Sequence, residues 1–229
     1  MAGFDLIVFD CDGVLVDSEI IAAQVDAKLL TEAGYPIDAA TVAERFSGMT
    51  WKDILLTVEA EADIPLQASL LEASETILDK KLARDVKPIA GVKFAALKTG
   101  LPRCVCSNSS PKRIRAMLKR TGDLGLFEPN IFSSREVGEK RPKPAPDVFL
   151  HAAETMNVRP VNAIVVEDSA HGVAGAKAAG MRVVGFTGAS HSYPSHADTL
   201  TAAGAETVIN RLVDLPAVVE ALSGWSDTF

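Results

Sequence analysis

The sequence has few aromatic residues, few cysteines and a shortage of positive charge. Only 6% of its 229 residues are Phe, Trp or Tyr, so a core must be built mainly from Ala, Val, Leu and Ile. The three cysteines, Cys11, Cys104 and Cys106, are odd in number and sit in apolar surroundings. They argue against a disulfide scaffold and for a reducing, cytoplasmic setting. Cys104 and Cys106 share one side of a strand, with no further Cys or His nearby in sequence. They read as small core residues rather than metal ligands. Lys and Arg number 23 against 30 Asp and Glu, a formal charge of −7. That deficit argues against nucleic acid as a partner, since phosphate contacts need a basic patch. It argues equally against a polybasic membrane anchor. No apolar run is long enough to cross a bilayer. The opening stretch MAGFDLIVFDCDG lacks a basic start and is interrupted by Asp5 and Asp10, so it does not read as a secretion signal.

What remains is ordinary globular composition, 48% hydrophobic and 23% charged,. Near-continuous apolar runs at 4–9, 103–106, 163–166 and 182–186, with shorter ones at 130–133 and 207–209, read as strands covered on both faces. Helical patterns fall between them. Ser110-Pro111 opens one and Gly122 closes it. Pro146 opens another, with Phe149, Leu150, Ala153 and Met156 on its apolar face, and 174–179 is helical up to Gly180. This alternation predicts an α/β fold, a Rossmann-like doubly wound parallel sheet. From 18 to 85 no strand is found. Ser18 can cap a helix running to Ala33, and 51–62 and 68–84 look helical. The expected domains are an α/β core from 1–16 and 87–229 and a small inserted α-helical cap, 17–86. The tail from 223 is expected to be loose.

Four short motifs carry candidate chemistry. Asp10-Cys11-Asp12-Gly13-Val14 follows the first strand, so two carboxylates leave the sheet edge together and Gly13 lets the backbone turn. A capped turn with solvated acids explains that motif as well as function does. Ser107-Asn108-Ser109 ends the 103–106 strand and alone reads as a turn. Lys143 is held between Pro142 and Pro144, which restrict its backbone. Glu167-Asp168-Ser169 follows the 163–166 strand, where paired acids can ligate Mg²⁺ or merely cap a helix. Taken together, four acids, one lysine and a Ser/Asn pair converge on strand ends. Crowded carboxylates need a cation and a lysine to stay ionised.

These motifs resemble those of the haloacid dehalogenase superfamily: D-x-D-G-V from Asp10, S-N-S from Ser107, K-P-x-P-x-x-F from Lys143 and E-D-S-x-x-G from Glu167. The helical insert resembles the small cap of the β-phosphoglucomutase-like branch. The stretch FDCDGVLVDSE resembles that branch's sugar-phosphate phosphatases, whose substrates include phosphogluconate and other small phosphorylated sugars.

The resemblance implies a Mg²⁺-dependent phosphatase working through an aspartyl-phosphate. Asp10 would be the nucleophile. Asp12 would be the general acid and then the base, and would offer its carbonyl to the metal. Lys143 would stabilise the transferring oxygens, and Gly13, Ser107 and Asn108 would hold the others. The metal site would comprise Asp10, Asp12, Asp168 and Glu167, with Glu167 placed behind a water. Hinges are expected near Val16-Asp17 and Lys87-Pro88, and an interhelical loop with Glu44, Arg45, Gly48, Thr50, Trp51 and Lys52 would face the substrate. Trp51 is as well explained by packing. The partner would be a small phosphorylated metabolite, bound by a monomer or weak homo-oligomer.

The alternative is a phosphosugar mutase, but Ala22 and Trp51 stand where the mutases carry a cap His and a cap Arg. A dehalogenase would need neither Asp12 nor a metal, and an intact catalytic set argues against a non-catalytic binding protein. His151, His191 and His196 are expected to be surface or packing residues. His171 could approach the site, and Arg141 reads as solvated.

Overall fold

The computed structural model describes residues 3–46, 49–62 and 69–224. The first apolar run forms β1 (Leu6–Phe9). Helices α1 (Glu19–Glu32), α2 (Ala39–Arg45), α3 (Trp51–Ala62) and α4 (Ser69–Asp85) follow before the sheet resumes. Then come α5 (Val92–Lys98), β2 (Arg103–Ser107), α6 (Pro111–Thr121), α7 (Leu124–Phe127), β3 (Ile131–Ser133) and α8 (Asp147–Thr155). The chain finishes with β4 (Ala163–Glu167), α9 (Ala170–Ala178), β5 (Arg182–Phe186), α10 (His196–Ala203), β6 (Thr207–Ile209) and α11 (Leu215–Gly224).

All strand pairs are parallel, in the order β3-β2-β1-β4-β5-β6. The order reverses at β1, which lies between β2 and β4. In open α/β sheets this switch point, at the carboxyl ends of the strands, is where ligands bind. Strand residues divide by parity between two layers, as a period of two requires. Ile7, Phe9, Val105, Ile164 and Val166 pack into one hydrophobic cluster. Leu6, Val8, Cys104, Cys106 and Val165 pack into the other. The cysteines are therefore buried core residues, and all three are free thiols. A third cluster belongs to the helices between β1 and α5, with Leu30, Val42, Phe46, Ile54 and Val58 at its centre. No helix among the described residues is long and apolar enough to cross a membrane.

Several local expectations change. In α8 the buried stripe is Val148, Phe149, Ala152 and Ala153, while Leu150 is 43% exposed. Leu150 lies two positions after Val148, about 200° round a helix of 3.6 residues per turn, so it points away from the core. The short helix α2 was not expected. It is started by Asp38, whose side chain accepts from the Thr41 N–H at 2.9 Å,. Glu44 and Arg45 therefore sit in a helix rather than a loop, and Trp51 and Lys52 open the next one. Gly48 lies outside the described residues. Ser18 precedes α1 but makes no side-chain capping bond, because its hydroxyl turns to Asp12 instead.

The α1–α4 segment leaves and rejoins the sheet layer through neighbouring backbone. The Asp17 N–H donates to the Lys87 carbonyl at 2.9 Å, and Val16 bridges to Pro88. Across the layers, Arg113 of α6 pairs with Asp79 of α4 at 2.5 Å, and Arg135 pairs with Glu75 at 2.9 Å. At the head of α6, the Ser110 hydroxyl accepts from the Arg113 N–H, with Pro111 in the first turn. Ser110→Ala should cost about 1 kcal/mol of stability, measured as a lower urea midpoint with unchanged m-value.

Candidate active site

Lys143 reaches the ends of three adjacent strands at once. Its ammonium donates to Asp10 beyond β1, to the Cys106 carbonyl in β2 at 2.7 Å and to Glu167 at the end of β4 at 2.5 Å. It also lies over the Phe149 ring, 5.0 Å from its centroid. Its side chain is only 3% exposed. Burial alone would lower its pKa, but Asp10 and Glu167 outweigh that and raise it, so the charge is fixed,. The Lys143 N–H donates to Asn108 Oδ1 at 2.9 Å, and the Ser134 hydroxyl donates to the same oxygen at 3.0 Å. The Asn108 amide NH₂ is left to serve the cavity that this residue lines.

Asp10 and Asp12 occupy different environments although only Cys11 separates them. Asp10 is held by Lys143 through Oδ1, and no described residue hydrogen-bonds its Oδ2. Asp12 is held by two hydroxyls, Ser18 at 2.8 Å on Oδ1 and Ser107 at 3.1 Å on Oδ2. Asp10, Glu167 and Asp168 form a cluster whose oxygens lie within 4.8 Å of one another. Burial, first, and then the neighbouring acids push the Asp10 and Asp168 carboxyls well above the usual range; Lys143 works the other way. An all-oxygen, charge-rich cluster of this kind fits a hard divalent cation. Glu167 is the most saturated of the three. Its Oε1 takes Lys143, and its Oε2 takes the Asp168 N–H, the Ser169 N–H and the Ser169 hydroxyl.

Two glycines make room for these acids. A Cβ on Gly13, where φ is +78°, would fall 1.8 Å from Asp168 Oδ2. A Cβ on Gly172 would fall 2.0 Å from the Glu167 carboxyl carbon. The Gly13 N–H itself donates to the Val16 carbonyl at 2.8 Å, closing the turn after the strand. In this structure Gly13 thus provides space rather than a free donor.

His191 and His196, expected to be surface or packing residues, both bear on Asp168. His191 Nε2 lies 3.2 Å from Asp168 Oδ2, and His196 Nε2 lies 2.6 Å from the Asp168 carbonyl. A carbonyl can only accept, so His196 carries its proton on Nε2, and its Nδ1 is free to accept from the Ser192 hydroxyl at 3.1 Å,. Burial lowers both imidazoles and keeps them neutral. These residues follow β5, one more strand whose carboxyl end faces the same edge, and that position was the signal available in the sequence. His171 does not line the cavity, and His151 packs edge-on against Phe132. Arg141 is exposed and paired with Asp147.

The model of the haloacid dehalogenase-like hydrolase family matches residues 4–180. The chain belongs to this family of hydrolases. It is 30% identical over 198 residues to a 6-phosphogluconate phosphatase of Escherichia coli (strain K12), covering 85% of this chain and 87% of that one. A fructose-1-phosphate phosphatase of the same strain is 28% identical over 180 residues, covering 78% and 94%. Among solved structures, a conserved haloacid dehalogenase-like protein of unknown function from Agrobacterium tumefaciens str. C58 is 64% identical with a TM-score of 0.92, covering 96% of this chain and 99% of that one. A HAD family hydrolase from Deinococcus radiodurans R1, solved with bound phosphate and sodium, is 32% identical with a TM-score of 0.80, covering 96% and 97%.

In this hydrolase the acids open onto a cavity of about 400 Å³ between the sheet edge and helices α1–α4. Trp51 lines it, but its indole N–H is tied to the Leu70 carbonyl at 3.1 Å, so packing fixes the ring that borders the cavity. The cavity also holds polar residues the sequence reading did not single out: Glu19, Asp26, Ser74, Arg113 and Arg135. Burial, first, and then Asp12 and Asp168 push the Glu19 carboxyl up to about 8. Burial pushes Asp26 up to about 7, against the Ser74 hydrogen bond and the charge of Arg113.

A raised carboxyl pKa means that the native state holds the proton more tightly than the unfolded chain. The stability linked to it is present below about pH 4 and is lost as pH rises to about 7,. Asp26→Asn removes that dependence. Its stability relative to wild type should improve by about 2–4 kcal/mol between pH 4 and pH 8, measured by denaturant unfolding at both values.

Proposed function

We propose that this hydrolase is a Mg²⁺-dependent phosphatase of small phosphorylated sugars or sugar acids, acting through an aspartyl-phosphate on Asp10. The observation that carries the reading is the separation of two neighbouring carboxylates into two environments. Asp10 is paired with a buried ammonium and has one oxygen without a donor among the described residues, as a nucleophile requires,. Asp12 is held by hydroxyls and takes no bond from Lys143, as a proton carrier requires,. The relatives that act on 6-phosphogluconate and fructose 1-phosphate support the substrate class.

In the first step Asp10 Oδ2 attacks phosphorus and the bond to the leaving oxygen breaks. Asp12 gives its proton to that oxygen, and the alcohol departs. In the second step Asp12 takes a proton from water, the water oxygen attacks phosphorus, and the Asp10–phosphorus bond breaks to release inorganic phosphate. Lys143 meets the negative charge on Asp10 and on the phosphoryl oxygens, and the Asn108 amide donates to another of them. Asp10 and Asp168, with the Asp12 carbonyl, would hold Mg²⁺, and Glu167 would reach it through water. When bound, the ion neutralises the crowded carboxylates and the phosphoryl charge.

Residues 17–86 act in this reading as a cap hinged at Val16-Asp17 and Lys87-Pro88, closing to exclude water and opening to admit it. The mutase reading is disfavoured because Ala22, which lines the cavity, supplies no acid or base.

Wild-type protein with Mg²⁺ should release phosphate from a panel of phosphorylated sugars and sugar acids, and EDTA should abolish the release. Asp10→Asn should lower kcat by about a thousandfold or more, read by a phosphate assay. Isomerisation of a sugar monophosphate primed by its bisphosphate, without phosphate release, would refute hydrolysis as the activity.

A further inference from the structure

The cavity continues past the phosphoryl-transfer residues. It is lined as well by Asp26 of α1, Ser74 of α4 and Arg113 of α6. Asp26 is 8% exposed, and among the described residues its only hydrogen-bond donor is the Ser74 hydroxyl, at 3.3 Å to Oδ1. Two carboxylate oxygens can accept about four hydrogen bonds between them, so most of this buried capacity is unused. Leaving such capacity unmet is costly unless something fills it. Apolar residues of the same cavity include Ala23, Val42, Phe46, Ile54 and Leu82. A carboxylate placed there has no evident packing role. Burial raises its pKa, against the Ser74 hydrogen bond and the charge of Arg113.

Helix geometry sets the distance from the chemistry. Ser18 touches Asp12, and Asp26 comes eight residues later along α1. At 1.5 Å per residue, that is about 12 Å further along the axis. An extended chain advances about 1.2 Å per bond. From phosphorus to the terminal oxygen of a six-carbon phosphate is about 10 Å on that scale, and of a two-carbon phosphate about 5 Å. Adding one hydrogen bond of about 2.8 Å gives the six-carbon chain a reach of about 13 Å, comparable with that rise, and the two-carbon chain a reach of about 8 Å, short of it.

We infer that Asp26, oriented by Ser74, is a specificity-determining residue that accepts hydrogen bonds from the terminal hydroxyls of a five- or six-carbon phosphorylated polyol or sugar. The inference rests on the phosphatase reading, because it takes the phosphate to be seated at Asp10. Arg113 supplies a donor at the same end of the cavity, its Nε being held by Asp79.

The test is steady-state kinetics with Mg²⁺ on wild type, Asp26→Asn and Asp26→Ala. The probes are 2-phosphoglycolate, glycerol 3-phosphate, a pentose 5-phosphate, 6-phosphogluconate and sorbitol 6-phosphate. Wild type should favour the six-carbon probes over phosphoglycolate in kcat/KM. Asp26→Ala should shrink that preference about tenfold or more, through KM rather than kcat. Asp26→Asn, whose amide oxygen still accepts, should fall between the two. An equal loss on every chain length, or an unchanged preference, overturns the inference. So does a wild type that prefers the two-carbon probe, although the hydrolase reading then survives. A wild type that hydrolyses none of the probes while isomerising a sugar phosphate removes the phosphatase reading and this inference with it.

Discussion

The structure depends on one buried ammonium. A lysine taken out of water is costly unless fully compensated, and Lys143 is compensated by Asp10, the Cys106 carbonyl and Glu167. Those three acceptors lie at the carboxyl ends of β1, β2 and β4, which are neighbours in the sheet. One positive charge therefore ties together the strand ends on both sides of the switch point. It also fixes Asp10. Glu167, locked further by Ser169 and its own loop N–H groups, acts as the fixed counterpart on the other side.

The local charge balance follows from that arrangement. Lys143 offsets part of the negative charge of Asp10, Asp12, Glu167 and Asp168, and the histidines beside Asp168 stay neutral. Burial, first, and then the remaining negative charge raise the Asp10 and Asp168 carboxyls, a state a divalent cation would relieve,. The formal charge of −7 is thus partly a property of the site rather than of the surface.

Much of this was legible in the sequence because apolar runs and strand-end motifs report on the backbone directly. The six strands, the capped start of α6 and the meeting of Asp10, Asp12, Ser107, Lys143, Glu167 and Asp168 could all be read that way. Other features could not be read, for physical reasons. Ser18 has the residue type and position of a cap, and only three-dimensional structure shows its hydroxyl turned to Asp12. His191 and His196 follow β5 without a motif, and their role comes from proximity to Asp168 across strands. Helix α2 is short, and its start rests on one Asp38 side chain. Asp26 and Ser74 are 48 residues apart, and helix packing alone brings them together.

The places where α1–α4 leave and rejoin the sheet layer lie side by side, joined by the Asp17 to Lys87 hydrogen bond and the Val16–Pro88 bridge. A segment whose two ends coincide can change in length and content without disturbing the layer it springs from. The strand ends that carry the acidic cluster and the helices that line the rest of the cavity can then vary independently in evolution. A lineage could exchange the inserted helices for a different set, and so acquire a new clientele, while keeping its reaction intact.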